Sequence, residues 1–307
     1  MITLNYPEIP AEKKLIATTG FFDGVHIGHQ AILRNIAEEA KKQNTKSCIV
    51  TFWPHPRIVL GKDAETLRLL TAIDEKTEII SKFGIDYFYL IPFTRQFSQL
   101  SPKQFFENIL IKKIDIRQLY IGYNHHFGHN ASAGFDEIKK ISGKFNIDVF
   151  KTDEINCGNK KVSSTNIRKL LETGDIENAN AMLGYDYCVQ GIVVRGNQIG
   201  RTIGFPTANI QPHAYKMIPK NGVYAAIVKI KNTEYKGMLN IGLRPTLNNT
   251  EKPIVEVNIF DFNEDIYDIT ISIKLMKRIR DERFFASLNL LKNQLKQDEL
   301  TIREILK

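Results

Sequence analysis

Gly20-Phe-Phe-Asp-Gly-Val-His-Ile-Gly-His-Gln30 is the stretch that decides the fold of the first half of the chain. The residues before it, Lys14 to Thr19, are apolar and β-branched. Those after it, to Gln43, place Ile32, Leu33, Ile36, Ala37 and Ala40 at helical spacing. Strand, Gly-punctuated turn and helix therefore follow one another. The first amides of a helix have no partner within it, and they sit at the positive end of its dipole. An anion at this turn meets those amides together with the imidazoles of His26 and His29. The pattern predicts a phosphate site, and hence a nucleotide site.

The same rhythm continues outward from the turn. Apolar runs at Ser47 to Phe52, Asp86 to Ile91, Gln118 to Ile121 and Asp148 to Lys151 alternate with helical patterns near Ile73 to Phe83, Pro102 to Lys112 and Phe135 to Phe145. Ser101 and Pro102 provide a helix cap and a first helical residue. Alternation of this kind predicts a parallel, Rossmann-like sheet whose ligands lie beyond the carboxyl ends of its strands, where His26 to His29 fall.

From Val162 the pattern changes. Ser163-Ser-Thr-Asn-Ile-Arg168 starts a helix, Gly174 stops it, and Gly184 stops a second. We therefore expect an α/β domain over residues 1–184 and a second domain over 185–307. In the second, short β-rich runs at Cys188 to Val194, Gly222 to Lys231, Tyr235 to Ile241, Ile254 to Phe262 and Ile269 to Leu275 follow one another without intervening helices. That pattern predicts a small antiparallel β-barrel. A terminal helix is expected from Phe284 to Leu306, with Phe285, Leu288, Leu291 and Leu295 as its packing stripe.

Composition narrows the class. The 307 residues are 43% hydrophobic and 25% charged, ordinary for a chain that buries a sizeable core. No apolar run approaches the roughly 20 residues that span a bilayer, and the N-terminal residues have neither a basic nor an apolar leader segment, so a cytoplasmic protein without a membrane partner is expected. Cys48, Cys157 and Cys188 are far apart and read as buried small apolar residues, not as a disulfide or zinc framework. The net charge of +8 is dispersed, which suits polyphosphate substrates as well as a solvated surface.

Four segments of the first domain, GFFDGVHIGHQ, Thr51 to Pro56 (TFWPHP), Ile121 to Gly128 (IGYNHHFG) and Val162 to Arg168 (VSSTNIR), resemble the adenylyltransferase half of the bifunctional riboflavin kinase/FAD synthetase family. The second domain resembles that family's riboflavin kinase half through Gly200 to Asn209 (GRTIGFPTAN), Asn221 to Tyr224, Asn240 to Thr246 and Val255 to Val257. The resemblance implies that riboflavin and ATP give FMN in the second domain, and that FMN and ATP give FAD and pyrophosphate in the first. ATP would be the co-substrate, a divalent cation such as Mg²⁺ the cofactor, and flavoproteins the downstream recipients.

The roles carry over residue by residue. His26 and His29 would contact the ATP phosphates, Gly20, Phe21 and Gly28 would help bind ATP there, and Asn124 would lie at the substrate site. Ser163, Ser164, Thr165 and Arg168 would bring hydroxyls, amides and a guanidinium to the triphosphate, or the hydroxyls would only cap a helix. Gly200, Arg201, Gly204 and Pro206 would form the kinase's phosphate loop, Thr207 and Asn209 would offer neutral oxygens to Mg²⁺, and Glu256 would be the base. Arg280 would close over flavin or nucleotide, or be a surface charge at a helix start. His55, His125 and His126 read as structural. One departure is that His129-Asn-Ala-Ser-Ala-Gly134 stands where the family has a basic, Arg-containing stretch. The alternative it leaves open is a riboflavin kinase with weakened or lost adenylyltransferase activity. A class I aminoacyl-tRNA synthetase would need a KMSKS-like lysine loop, which the chain lacks. A nucleic-acid-binding barrel would need aromatic and basic residues interleaved on a strand face, and Tyr224, Tyr235 and Phe260 form no such set.

Overall fold

The computed structural model describes residues 1–61, 66–123, 134–196, 199–244 and 252–307. Two compact units divide it, Met1–Ser164 and Thr165–Lys307.

In the first unit the order is β1 (Ile2–Asn5), β2 (Leu15–Thr19), α1 (Ile27–Lys42), β3 (Ser47–Trp53), α2 (Pro56–Leu60), α3 (Ile73–Ser81) and β4 (Tyr87–Pro92). Then come α4 (Pro102–Phe105), continued by a π-helical turn over Phe106–Ile111, β5 (Ile116–Ile121), α5 (Phe135–Gly143), β6 (Asp148–Lys151) and a hairpin of β7 (Asn156–Cys157) and β8 (Lys160–Lys161). The sheet runs β1-β4-β3-β2-β5-β6, parallel throughout.

Because side chains alternate across a strand, Leu15, Ala17, Val50 and Tyr89 pack with Phe106 and Leu119 on one face. Ile16, Ile49 and Phe88 pack with Leu33 and Ile36 of α1 on the other. The β2–β5 junction is where the strand order reverses, and α1 begins just beyond it. That switch point is where open α/β sheets leave a crevice for ligands. β1 was not read from the sequence: it is a short edge strand with its side chains mostly exposed, so it lacks a strong apolar pattern.

The second unit contains α6 (Ser164–Thr173, whose first residue belongs to the first unit), α7 (Ile176–Leu183), β9 (Cys188–Val194), α8 (Ile199–Thr202), β10 (Ala208–Pro212), β11 (Gly222–Ile230), β12 (Thr233–Arg244), β13 (Lys252–Ile259), β14 (Thr270–Arg280) and α9 (Leu288–Ile305). The six strands close an antiparallel barrel in the order β10-β13-β12-β11-β14-β9. The two linking helices thus group with the barrel. The physical reason is visible in the packing of the two linking helices. Lys220 donates its N–H to Leu171 O at 2.9 Å, and Asn180 Nδ2 donates to Leu275 O at 2.9 Å. Gly174 leaves room for Arg278, whose Cδ would lie 2.5 Å from a Cβ at that position.

The terminal helix also starts later than the periodicity suggested. Ser287 Oγ accepts the Leu290 N–H at 3.3 Å and caps it, so Phe284, 96% exposed, precedes the helix. Leu291, Leu295 and Leu306 pack with Ile302, Met238 and Phe260, whereas Leu288 from the expected stripe is exposed. Cys48 is buried, while Cys157 and Cys188 are half-buried; all three are free thiols.

Candidate active sites

In the first unit the loop from Gly20 to His26 is held in a tight course. Phe22 and Val25 adopt φ of 48° and 35°, a left-handed region that non-glycine residues seldom occupy and that clusters at functional sites. Several contacts support it. Asp23 Oδ1 accepts the N–H groups of Leu70 at 2.9 Å and Thr71 at 3.2 Å, and Thr71 Oγ1 accepts the Gly24 N–H at 3.1 Å. Gln30 Nε2 donates to Val25 O at 2.9 Å, Lys76 Nζ to Phe21 O at 2.6 Å, and Ser164 Oγ to Asp23 O at 2.8 Å. The sequence-predicted Ser164 is therefore beside the loop.

His26 is the N-cap of α1, and its Nδ1 accepts the His29 N–H in a long contact of 3.4 Å. The two imidazoles stack with ring centroids 3.7 Å apart, and the Phe22 and His29 rings meet in a T-shaped contact with centroids 5.2 Å apart. Gly28 makes this possible, since a Cβ there would stand 3.2 Å from the His26 ring. Burial outweighs the nearby Asp23 carboxylate and pushes the His26 imidazole down to about 4, so it is neutral near pH 7. With Nδ1 accepting, its proton is on Nε2, which becomes a neutral donor.

An aromatic group lies at the same end of the sheet. Phe21 contacts Phe52 at 5.3 Å and His55 at 5.1 Å, and Phe52 meets Phe97 and Phe105 at 5.5 and 6.0 Å. His55 caps α2 by accepting the Arg57 N–H at 3.3 Å. Ser163 precedes α6, and Thr165 and Arg168 lie on it in the second unit. Asn124, His125, His126 and most of the His129–Gly134 stretch lie outside the described residues.

The second site is built on β10 and β13. Asn209 is the register partner of Glu256, and Asn240 of β12 is its partner on the other side. Paired residues share a face, so the three polar side chains form one row; Thr207 lies just before β10, two residues from Asn209. Val255, Val257 and Ile259 point the other way and are buried.

The loop before Thr207 packs tightly against itself. Phe205 donates its N–H to Gly200 O at 2.8 Å, a Cβ at Gly200 would stand 2.2 Å from Phe205 O, and Gly204 turns the chain at φ +86°. Asn258 Nδ2 donates to Pro206 O at 2.7 Å and fixes the loop to the barrel. A cavity of about 490 Å³ is lined in part by Arg201, Pro206, Thr207, Val257, Phe262 and Tyr267. Thr207 thus borders the cavity and stands just before the strand that carries Asn209. The Arg280 guanidinium pairs bidentately with Asp298 of α9, at 2.9 and 2.7 Å, with only 11% of its side chain exposed, so it is not a solvated surface charge.

The FAD synthetase family matches residues 8–166 and the riboflavin kinase family residues 183–306. Curated bifunctional riboflavin kinase/FMN adenylyltransferases are 36% identical in Listeria monocytogenes and 35% in Bacillus subtilis, each over 94% of this chain and 91% of the relative. The Escherichia coli one is 35% identical over 98% of this chain and 95% of its own. The chain belongs to the bifunctional riboflavin kinase/FMN adenylyltransferase family. It is an enzyme with both of that family's domains. A crystal structure from Streptococcus pneumoniae named as a macrolide-efflux protein shares the fold along the whole chain, with a TM-score of 0.89, 32% identity and 99% of both chains covered. Among the described residues of this chain, no helix is long and apolar enough to cross a membrane.

Sequence reasoning missed several supporting residues of these candidate sites. Asp23 and Asn240 lay within quoted motifs without a role. Asn258 and Tyr267 had no signal beyond strand alternation and turn composition. Lys76 stands three residues after Ile73 and four before Ile80, a position on the inward stripe of α3 that periodicity reveals when a charged residue is allowed to occupy it.

Proposed function

We propose that the chain makes FAD in two steps at two separate sites. In the second unit the ribityl 5′-hydroxyl of riboflavin attacks the γ-phosphate of ATP; Glu256 accepts the hydroxyl proton, the new O–P bond forms and ADP leaves. The cavity beside Thr207 supports placement of the adenosine between Phe262 and Tyr267, with Arg201 near the phosphates. The phosphate chain would then cross Thr207 to reach the face of Glu256.

Thr207 and Asn209 offer hard, neutral oxygens next to the Glu256 carboxylate, a donor set that suits Mg²⁺ shared with phosphates. The close Gly200–Phe205 turn leaves space above Thr207 Oγ1 that a Cβ at Gly200 would enter at 3.5 Å. The ion, when bound, supplies charge neutralisation for the transferring phosphoryl group. Gly204 and Pro206 shape the loop, and Asn258 keeps it in place.

In the first unit an FMN phosphate oxygen attacks the α-phosphate of ATP; the bond to the β-phosphate breaks and pyrophosphate leaves with that electron pair. No covalent nucleophile is required, and positioning with charge neutralisation supplies most of the acceleration. His26 Nε2–H and His29 would meet the phosphates, His29 on the side where charge grows on the α-phosphate. Ser163, Ser164, Thr165 and Arg168 would attend the triphosphate, Gly20, Phe21 and Gly28 its approach, and Asn124 the substrate. The half-buried rings of Phe21 and Phe97, backed by the buried Phe52, fit the flat isoalloxazine ring. The stacked His26–His29 pair at the open start of α1 is the observation that carries the two-site reading over a kinase alone. The reactions would take place in the cytoplasm, with FAD and FMN passing to flavoproteins and with neither nucleic acid nor membrane as partner.

A chromatographic time course of riboflavin, FMN and FAD with ATP and Mg²⁺ tests this, run beside Glu256→Ala and His29→Ala. FMN should precede FAD, with Glu256→Ala blocking the first step and His29→Ala only the second. FMN accumulation without FAD in the unaltered protein would select the kinase alone.

A further inference from the structure

Lys76 is 4% exposed on α3, and its ammonium donates to the Phe21 carbonyl at 2.6 Å, beneath the loop that leads to His26. Lysine is almost never buried without a carboxylate in direct contact. Among the described residues, Lys76 makes no salt bridge within 4.0 Å; Asp23 acts on it electrostatically, but that carboxylate accepts the Leu70 and Thr71 amides. A leucine or methionine in the same place would fill the volume without desolvating a charge. The position therefore carries a cost that packing alone does not explain.

The geometry of the peptide unit points to a use. A trans peptide sets its C=O and N–H in opposite directions. With the Phe21 oxygen drawn toward α3 by Lys76, the following N–H, that of Phe22, is turned away from α3. Among the described residues that N–H has no hydrogen-bond partner. The Phe22 backbone is itself in the left-handed region, and its ring edge meets His29.

We propose that Lys76 is a positioning residue for adenylyl transfer: by fixing the Phe21–Phe22 peptide it aims the Phe22 N–H at the ATP phosphates, adding a backbone donor beside the imidazoles of His26 and His29. The ligand group it serves is a phosphate oxyanion, and the proposal rests on the adenylyltransferase reading of this site.

Burial pushes the Lys76 ammonium down to about 8, with Asp23 acting in the opposite sense. Two other titratable groups are near. Glu75 on the same helix is turned to the Ala72 N–H at 2.8 Å, and His26 titrates far lower. The donor is therefore present at neutral pH and lost as pH rises through about 8.

The test is FAD formation from supplied FMN and ATP by the full-length protein with Lys76→Met and Lys76→Arg, with riboflavin phosphorylation by the same samples as a folding control. Lys76→Met should lower kcat about 100-fold, the order seen when one oxyanion donor is lost. KM for FMN should change little, and the kinase rate and melting temperature should hold or rise. Lys76→Arg should recover part of kcat and remove the alkaline fall that the unaltered protein shows above pH 8. Unchanged kcat in Lys76→Met, or a loss that tracks its melting temperature, would overturn the assignment. So would an unaltered protein with no alkaline fall, a result that needs no variant to fold. If the unaltered protein makes no FAD at all, the adenylyltransferase reading fails instead.

Discussion

Asn209 on β10 stands directly across from Glu256 on β13. Side chains in such a pair have Cβ atoms about 5 Å apart, so the amide is within reach of the carboxylate and of anything the carboxylate touches. Glu256→Gln keeps that shape and removes the proton acceptor. It should lower riboflavin phosphorylation by about 10²- to 10⁴-fold, the usual range for a general base, and leave FAD formation from supplied FMN intact. Asn209→Ala should instead raise the Mg²⁺ concentration needed for half-maximal kinase rate. Equal loss of both activities in Glu256→Gln would point to unfolding and remove Glu256 from the base role.

Gly28 gives a prediction whose sign separates function from folding. Within a helix, Gly to Ala ordinarily stabilises by about 1 kcal/mol. Here the new Cβ would stand 3.2 Å from the His26 ring and force that ring to move. Gly28→Ala should therefore melt no lower than the unaltered protein while losing most FAD formation. Calorimetry beside the two activity assays measures both; full adenylyltransferase activity would show that the His26–His29 stack is not the working geometry.

The neutral state of His26 links stability to pH. Its folded value of about 4 lies below the 6.5 of the free side chain, so between those values the unfolded chain binds more protons than the native one. Stability from this site is complete above pH 6.5 and is lost as pH falls toward 4, by about 3 kcal/mol in all. His26→Asn keeps a side chain able to cap α1 and removes the titration. Its melting temperature should fall less between pH 6.5 and 4 than that of the unaltered protein, as read by thermal denaturation across that range.

Much of this was legible from local pattern. Strong apolar runs such as Ser47 to Phe52 and the capped start at Ser101 declare themselves because one strand or one helical turn holds all the information. The His26 pair was legible because its geometry depends on a short turn and one glycine. What sequence could not give depended on distant partners. The edge strand β1 is made by its pairing with β4, and the unit boundary by contacts from Leu171 and Asn180 to the barrel. Lys76 reads as an ordinary helix charge until Phe21 O is placed above it. The Asp298 partner of Arg280 is hidden for the same reason: it lies eighteen residues on, in α9.

That partnership leads to a prediction about stability. Arg280 and Asp298 have side-chain exposures of 11% and 3%, and Gln294 Nε2 adds a donor to Asp298 Oδ1 at 2.8 Å. The pair ties α9 to the end of β14, where Leu291 and Leu295 cover the barrel. Removing one member leaves the other charged and buried, which costs about 3–5 kcal/mol. Asp298→Leu alone should therefore lower the melting temperature and loosen α9, seen as faster amide exchange over residues 288–305. Arg280→Met combined with Asp298→Leu replaces both charges by apolar volume and should recover most of the stability. The double variant also decides whether Arg280 serves ligand. With the helix held in place by apolar contact, an unchanged KM for riboflavin and ATP would confine Arg280 to the fold, whereas a raised KM for one of them would assign it to that substrate.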